Sequence, residues 1–277
     1  MKTLRAGWRG MLLALSIVIG AAPLFIANLL QLINENLGLR MRCLVVRNWA
    51  RAVAHILKIR IIVRGPVPKP PFMLVVNHLS YIDIILLFSQ IDCIFVAKKD
   101  LRSWPLLGFL IQASGNIFVD RESRRDIPRV NALIARNINK HHGLILFPEG
   151  TSTNGESVLP FKPSLLAYPA SQQQAVSYAS IRYQTPLSDM PAYLSVCFWG
   201  DMAFPRHLFG LLKLSEIQAT LTFGNETLIE NDRKILAQKL WQLVNETFEP
   251  VVKTEGTCKP PGGSKPNLKP KSRYNYH

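Results

Sequence analysis

The sequence predicts an α/β fold with a mixed, largely parallel central sheet flanked by helices, preceded by a pair of membrane-associated helices. Three observations support this prediction. From residue 59 onward, short β-branched runs alternate with segments of helical length, which is typical of strand–helix–strand units. A long uncharged stretch lies near the amino end, and polar motifs follow several predicted strands. We therefore divide the chain into residues 1–58, 59–253 and 254–277.

The composition favours a membrane partner over nucleic acid. The chain has 33 Lys and Arg against 18 Asp and Glu, a net charge of +15, and 48% of its residues are hydrophobic. This charge attracts anionic surfaces, but the basic residues are spread out and lie partly beside apolar sequence. The cysteines are scattered, which argues against a zinc site or a disulfide scaffold and favours a reducing compartment. We expect no metal and no nucleic-acid partner.

The amino-terminal segment Met11–Ile33 carries no charge. As a helix it would be roughly 34 Å long, enough to cross a bilayer core of about 30 Å. A signal peptide is disfavoured because the apolar run continues through Leu24–Leu30, beyond the small residues at 20–22. Pro23 leaves two arrangements open, a full span and a kinked helix that enters and leaves on one side. Both keep the rest of the chain at the membrane surface.

A second, amphipathic helix is predicted over Gly38–Leu57. Its basic side chains lie roughly on one side and its apolar side chains on the other, which suits the lipid headgroup layer. An ordinary amphipathic helix that packs on the domain is the alternative. The basic side is Arg40, Arg47 and Arg51, and the apolar side is Leu44, Val45, Trp49, Val53 and Ile56.

Residues 59–253 read as alternating strands and helices, and this alternation predicts the largely parallel sheet. The predicted strands are Ile59–Val63, Phe72–Val76, Ile94–Ala97, Asn116–Val119, Leu144–Phe147, Ala175–Tyr183, Tyr193–Phe198 and Ile217–Phe223. The predicted helices are Leu101–Gln112, Asp126–Asn139 and Asn231–Thr247, the last with Ile235, Leu236, Leu240, Trp241 and Val244 inward. The Pro-, Gly- and Lys-rich residues 254–277 are interpreted as a disordered basic tail.

The stretch 75–87 combines a strand, a polar turn and a helix start, with His78 at the strand end and Asp83 five residues later. If Ser80 is the N-cap, Asp83 is the third helical residue and its side chain turns back toward the loop. A carboxylate that accepts one imidazole N–H leaves the other nitrogen to take a proton from a hydroxyl. The alternative is a capping box of Ser80 and Asp83 beside a buried histidine.

Two further polar motifs follow predicted strands, where open α/β sheets build their sites. One is Gly115-Asn116-Ile117-Phe118-Val119-Asp120-Arg121, and the other is Phe147-Pro148-Glu149-Gly150-Thr151, with Lys162 downstream. Each has a simpler interpretation. Arg121 could pair with a neighbouring acid, residues 148–150 could form an ordinary turn, and Lys162 could be solvated.

In this order and spacing, Asn-His-x4-Asp, Gly-x-Ile-Phe-x-Asp-Arg and Phe-Pro-Glu-Gly-Thr resemble the glycerophospholipid acyltransferases of the lysophosphatidic acid acyltransferase type. The resemblance covers about Phe72 to Tyr183. It implies an enzyme that moves a fatty acyl group from acyl-CoA or acyl carrier protein to a hydroxyl of a lysolipid, with no other cofactor. It also implies a hydrophobic two-helix element on the membrane, which we expect to be the cytoplasmic face of a bacterial inner membrane.

The resemblance also implies a role for each motif residue. His78 would be the general base, and Asp83 would hold its imidazole. Arg121 would bind an anionic headgroup or the phosphates of the thioester donor. The acceptor site would be shaped by Glu149, Gly150 and Thr151, with Glu149 bonding a polyol or orienting a cation, and Lys162 would be a second anion-binding residue.

One departure concerns the acceptor. Many relatives carry arginine directly after Glu-Gly-Thr, suited to a phosphate monoester, and this chain has Ser152. Loss of one guanidinium weakens recognition of a doubly charged phosphate by about 1.5–3 kcal/mol. The sequence is similar here to relatives that acylate lyso-ornithine lipid, so lysophosphatidic acid and lyso-ornithine lipid both stay open.

Two other functions are weighed against acyl transfer. A hydrolase with Ser80 as nucleophile has poor geometry, because Ser80 and His78 share one short loop and no Gly-x-Ser-x-Gly elbow is present. A non-catalytic basic membrane-binding or scaffolding protein fits the charge and the apolar segment. It gives no reason for an intact pair of His78 and Asp83.

Overall fold

The structure is a computed structural model that describes residues 1–99, 111–119, 127–138 and 141–252, without the side chains of residues 98, 127 and 128. The predicted helix Leu101–Gln112 lies almost wholly outside these residues, and Arg121 and the tail 254–277 lie outside them too. Predictions for those segments stay predictions.

Within the described residues the chain forms a seven-stranded sheet with helices on both faces, which confirms the predicted fold class. The strands are β1 (Ile59–Arg64), β2 (Met73–Val76), β3 (Cys93–Lys98), β4 (Ile117–Val119), β5 (Gly143–Leu146), β6 (Val176–Gln184) and β7 (Ile217–Phe223). The helices are α1 (Lys2–Ile33), α2 (Glu35–Ile56), α3 (Ile82–Gln90), α4 (Ile127–Asn137), α5 (Ala167–Ser171), α6 (Ala192–Ser195), α7 (Phe204–Leu212) and α8 (Arg233–Thr247).

The strand order is β1-β7-β6-β2-β5-β3-β4, and the β6–β7 pair is antiparallel whereas the other pairs are parallel. Every residue of β2 and of β5 is buried, as expected for central strands covered on both faces. Residues of α1, α2, α3 and α7 contribute to the apolar layer on one face, and residues of α4, α5 and α8 contribute to the layer on the other. Because β2 and β5 are parallel neighbours, their carboxyl ends lie side by side.

Helices α1 and α2 form an antiparallel hairpin that turns at Asn34. Its side chain caps α2 by accepting from the N–H of Leu37, 3.1 Å away. The pairing follows from two close approaches: Gly38 lies against the backbone of Gln31, and Gly20 lies against the ring of Trp49. A side chain at position 38 would place its Cβ 2.3 Å from the Gln31 nitrogen, so glycine permits the tight turn.

Helix α1 also contacts the α/β domain near both of its ends. The buried Arg9 donates to the carbonyl oxygen of Leu214 at 2.6 Å, and Asn28 donates to the carbonyl oxygen of Ala113 at 3.0 Å. Much of its remaining surface is apolar and exposed, including Val18, Ile19, Leu32 and Ile33. Among the described residues, α1 is the one helix whose length and apolar composition would allow a membrane crossing.

Two sequence predictions are wrong in this part of the chain. Tyr193–Phe198 is not a strand: Ala192–Ser195 is a short helix, and the N–H groups of Val196 and Cys197 both bond the carbonyl oxygen of Ala192. The neighbours of β6 in the sheet are β2 and β7, so the segment has no free edge there to pair with. Ile235, predicted to face inward, is 45% exposed, whereas Leu236, Leu240 and Val244 are buried.

Candidate active site

The site begins where β2 ends. Asn77 follows the strand directly. Its side-chain amide donates to the carbonyl oxygen of Ile181 on β6 at 3.1 Å and accepts from the Ile181 N–H at 2.7 Å. These two hydrogen bonds between neighbouring elements fix the backbone direction just before His78. The carbonyl oxygen of His78 in turn accepts from the N–H of Thr153 at 3.0 Å. The loop that carries His78 is therefore held from two sides.

His78 and Asp83 are in direct contact: the imidazole Nδ1 lies 2.8 Å from the Asp83 Oδ2. Helix α3 begins at Ile82 with Tyr81 as N-cap, so Asp83 is the second helical residue, and the prediction of a Ser80 N-cap is wrong. The same Oδ2 accepts from the backbone N–H groups of Leu79 at 2.7 Å and Ser80 at 3.0 Å. The carboxylate thus holds the loop before the helix and orients the imidazole at once.

The His78 ring has one engaged nitrogen and a partly open surface. Because an ionised carboxylate accepts hydrogen bonds only, the Nδ1 that faces it carries the proton and Nε2 is the basic nitrogen. The side chain is 22% exposed, whereas Asp83 is fully buried. One ring face stacks on Phe147 from the end of β5, with 4.2 Å between ring centroids. Packing and hydrogen bonding together fix the orientation of this imidazole and leave part of the ring exposed.

Glu149 lies beneath the same loop. Its Oε1 accepts from the N–H of His78 at 2.6 Å, and its Oε2 accepts from the N–H of Leu159 at 2.8 Å. The residue is 2% exposed, and burial raises the pKa of the Glu149 carboxyl to about 7, against the lowering effect of these two hydrogen bonds. Both oxygens are therefore occupied by backbone donors. This geometry supports a positioning role for Glu149, and its predicted contact with a polyol or a cation gains no support from it.

Glu149 should make stability depend on pH. Its folded-state pKa of about 7 lies above the ordinary value of 4.5, so stabilisation present below pH 4.5 is lost as pH rises through 7. The loss is on the order of 3 kcal/mol, at about 1.4 kcal/mol per pKa unit. We expect chemical unfolding between pH 5 and 7.5 to show this slope in the wild-type protein and a flatter one in Glu149→Gln. If the unfolding free energy had the same pH slope in both proteins, Glu149 would not be the group responsible.

Gly150 and Lys162 form the rim beside Glu149. Gly150 has φ +74°, a left-handed conformation that favours glycine, and a Cβ there would lie 2.6 Å from the Lys162 Nζ. The absence of a side chain at 150 thus lets the ammonium group lie directly over the turn. Thr151 and Lys162 are both exposed. The structure brings these residues together with His78 and Asp83, as the sequence predicted, and Arg121 lies outside the described residues.

Three hydrogen bonds in the site involve two residues that the sequence analysis did not select. The Tyr183 hydroxyl on β6 donates to the second Asp83 oxygen, Oδ1, at 2.8 Å. The N–H of Phe198 donates to the Leu79 carbonyl oxygen at 2.8 Å, and the Phe198 carbonyl oxygen accepts from the Ser152 hydroxyl. Tyr183 lies 100 positions from Asp83, and no motif in the sequence marks it or Phe198. Only the fold brings them to the site.

Comparison with known proteins identifies the family. The acyltransferase family model matches residues 58–176, a range that includes every described site residue except Tyr183 and Phe198. A lyso-ornithine lipid O-acyltransferase of Rhizobium meliloti is 31% identical over 76% of this chain and 75% of its own length. The protein belongs to the acyltransferase family. The membership predicted from the three motifs is confirmed.

Other relatives of this acyltransferase extend the comparison. A 1-acyl-sn-glycerol-3-phosphate acyltransferase of Neisseria meningitidis is 28% identical over 62% of this chain and 68% of its own length. The crystal structure of the 1-acyl-sn-glycerophosphate acyltransferase PlsC from Thermotoga maritima matches with a TM-score of 0.61 at 20% identity. That match covers 88% of this chain and 94% of the other, and it shows a shared fold.

Proposed function

We propose that this acyltransferase moves a fatty acyl group from the thioester of acyl-CoA or acyl carrier protein to a hydroxyl of a lysolipid, with His78 as general base. The observation that carries the proposal is the 2.8 Å contact between the His78 Nδ1 and Asp83, which leaves Nε2 basic beside a partly exposed ring face. The names of the relatives, which are acyltransferases acting on lyso-ornithine lipid and 1-acylglycerol 3-phosphate, support the same class of reaction.

The proposed reaction uses His78 and Asp83 as follows. The His78 Nε2 takes the proton of the acceptor hydroxyl while its oxygen attacks the thioester carbonyl carbon. The buried Asp83 stabilises the imidazolium that forms without taking the proton itself. The tetrahedral intermediate then expels the thiolate, which receives the proton from Nε2. One ester bond forms, one thioester bond breaks, and no acyl-enzyme is required because the thiol is a good leaving group.

For the acceptor, we propose a lyso-ornithine lipid in preference to lysophosphatidic acid. The position that holds arginine in many phosphate-monoester enzymes is Ser152, and its hydroxyl is used by the Phe198 carbonyl oxygen. A neutral side chain engaged with the backbone offers no charge to a phosphate monoester. Lysophosphatidic acid would depend on Lys162 at the rim and on Arg121, whose role in anion binding stays a proposal.

A panel of lysolipids tests both levels of the proposal. Thiol release from acyl-CoA and from acyl carrier protein should depend on added lysolipid, with a kcat/KM at least about 10-fold higher for lyso-ornithine lipid than for lysophosphatidic acid, as expected if one charge-assisted contact is lost. Faster acylation of lysophosphatidic acid would contradict the acceptor alone. Liposome binding without any lysolipid-dependent thiol release would instead favour the basic scaffolding protein.

We further propose that α1 lies on the membrane and does not cross it. At 32 residues it is about 48 Å long, yet Arg9 and Asn28 bond the same α/β domain near its two ends. Both ends therefore face the side on which the domain lies, which we propose to be the cytoplasmic side. The exposed apolar surface between them suits the lipid phase.

Side-specific labelling checks this arrangement. A cysteine introduced at the exposed Thr3 should react with a membrane-impermeant maleimide from the same side as one introduced at the exposed Glu249 of the α/β domain. In bacterial membranes we expect both to react in inside-out vesicles and neither in right-side-out vesicles. Labelling of the two positions from opposite sides would show that α1 crosses the bilayer.

A further inference from the structure

The two oxygens of the Asp83 carboxylate have different partners. Among the described residues, Oδ2 accepts from three N–H groups, those of the His78 ring and of the Leu79 and Ser80 backbone. Oδ1 accepts from one group, the hydroxyl of Tyr183 at 2.8 Å. The first three donors belong to the loop directly before helix α3, which carries Asp83, whereas Tyr183 belongs to β6. The carboxylate is thus tied to the sheet by one hydrogen bond.

Tyr183 is suited to act as a rigid, neutral donor. The residue is fully buried and lies on a strand that is paired on both sides, with Ala219 of β7 as its antiparallel partner. Burial, reinforced by the Asp83 charge, raises the pKa of the Tyr183 phenol well above its ordinary value. The ionisable groups that face it are Asp83 and the buried thiol of Cys197, whose pKa is also raised by burial. Its hydroxyl therefore keeps its proton throughout the working pH range.

We infer that Tyr183 is a positioning residue of acyl transfer, whose hydroxyl fixes the rotation of the Asp83 carboxylate so that Oδ2 stays on the His78 Nδ1. The inference rests on the proposed function. Three donors converge on Oδ2, and the Tyr183 hydroxyl holds Oδ1 from the opposite element, so both oxygens are satisfied in this one orientation of the carboxylate. Without that hydroxyl, a buried oxygen lacks a partner and the side chain turns to find one.

The test is Tyr183→Phe, which removes one oxygen atom and keeps the ring. We expect kcat for acyl transfer to fall about 10-fold while KM for thioester and lysolipid changes less than about twofold, because a loss of orientation acts on the transition state. The matched control is Tyr178→Phe on the same strand, whose buried ring lies in the apolar layer of the opposite face. That variant should keep wild-type kcat.

A second measurement separates positioning from folding. In an Asp83→Asn background, Tyr183→Phe should lower kcat by less than about twofold, because the carboxylate that it orients is gone. The inference is overturned if Tyr183→Phe keeps kcat, if the loss is in KM, or if the loss is equally large in the Asp83→Asn background. Wild-type turnover is the reference. An inactive wild-type protein therefore overturns the proposed function, whereas an unimpaired Tyr183→Phe protein overturns only this inference.

Discussion

Replacing His78 by alanine is expected to lower kcat for lysolipid acylation by about 10³-fold, within the 10²–10⁴-fold range of general-base catalysis. The reason is that the imidazole is held ready for one proton transfer. Its Nδ1 bonds Asp83 at 2.8 Å, its ring stacks on Phe147, and its backbone is bonded by Glu149 and Thr153. Acyl transfer is measured as thiol release together with consumption of the lysolipid.

Two controls make the His78 result specific. His55→Ala removes an imidazole from the exposed last turn of α2 and should leave kcat within about twofold of wild type. Flotation with liposomes should be unchanged in both variants, since the exposed apolar face of α1 is intact. A His78→Ala protein with turnover close to wild type would show that another group removes the proton, and the mechanism would be wrong.

Asp83→Asn is expected to have the next largest effect, a fall in kcat of about 10³-fold, comparable to the loss seen when an amide replaces the carboxylate of a catalytic triad. In the wild-type protein, the carboxylate accepts from the His78 Nδ1–H. The amide keeps its oxygen on the backbone N–H groups of Leu79 and Ser80 and turns its NH₂ toward the Tyr183 hydroxyl, so a neutral group faces Nδ1 and no longer stabilises the imidazolium that forms. The loss should be in kcat, with KM changed little.

The matched control for this variant is Asp92→Asn. Asp92 precedes β3 at the other end of the sheet and pairs with Arg47 of α2 at 2.5 Å. Removing that partly exposed ion pair should cost at most about 1 kcal/mol of stability and leave turnover within about threefold. If Asp83→Asn retained more than about a tenth of wild-type kcat, the charge of the carboxylate would not be stabilising the His78 imidazolium.

Local spacing accounts for what the sequence predicted about the catalytic pair. His78 and Asp83 are separated by one turn and the first residues of a helix, so their spacing along the chain already brings them close together. The contact of Glu149 with the His78 backbone depends on the strand order of the sheet. Residues 78 and 149 each follow the end of a strand, and β2 and β5 are parallel neighbours, so the Glu149 carboxylate comes to lie under the His78 backbone. The motifs marked Glu149, and the fold placed its carboxylate against the His78 backbone.

The predictions that failed concern long-range context. A run such as 193–198 has strand composition, but a strand needs a free edge, and the edge of β6 is already taken by β7. The segment folds instead into a short helix and an extended end, and that end bonds the loops of Leu79 and Ser152 through Phe198. Ile235 failed for a related reason, since which stripe of α8 faces inward depends on how the helix sits on the sheet.

The sequence by itself determined the family, the α/β class, the apolar amino-terminal helix and the pairing of His78 with Asp83. These properties depend on composition, periodicity and contacts between residues close along the chain. The tertiary structure alone decided that Tyr183 holds the second oxygen of Asp83, that Glu149 supports the His78 backbone, and that both ends of α1 contact the α/β domain. Such contacts join residues that only strand order and helix docking bring together, and no local pattern records them.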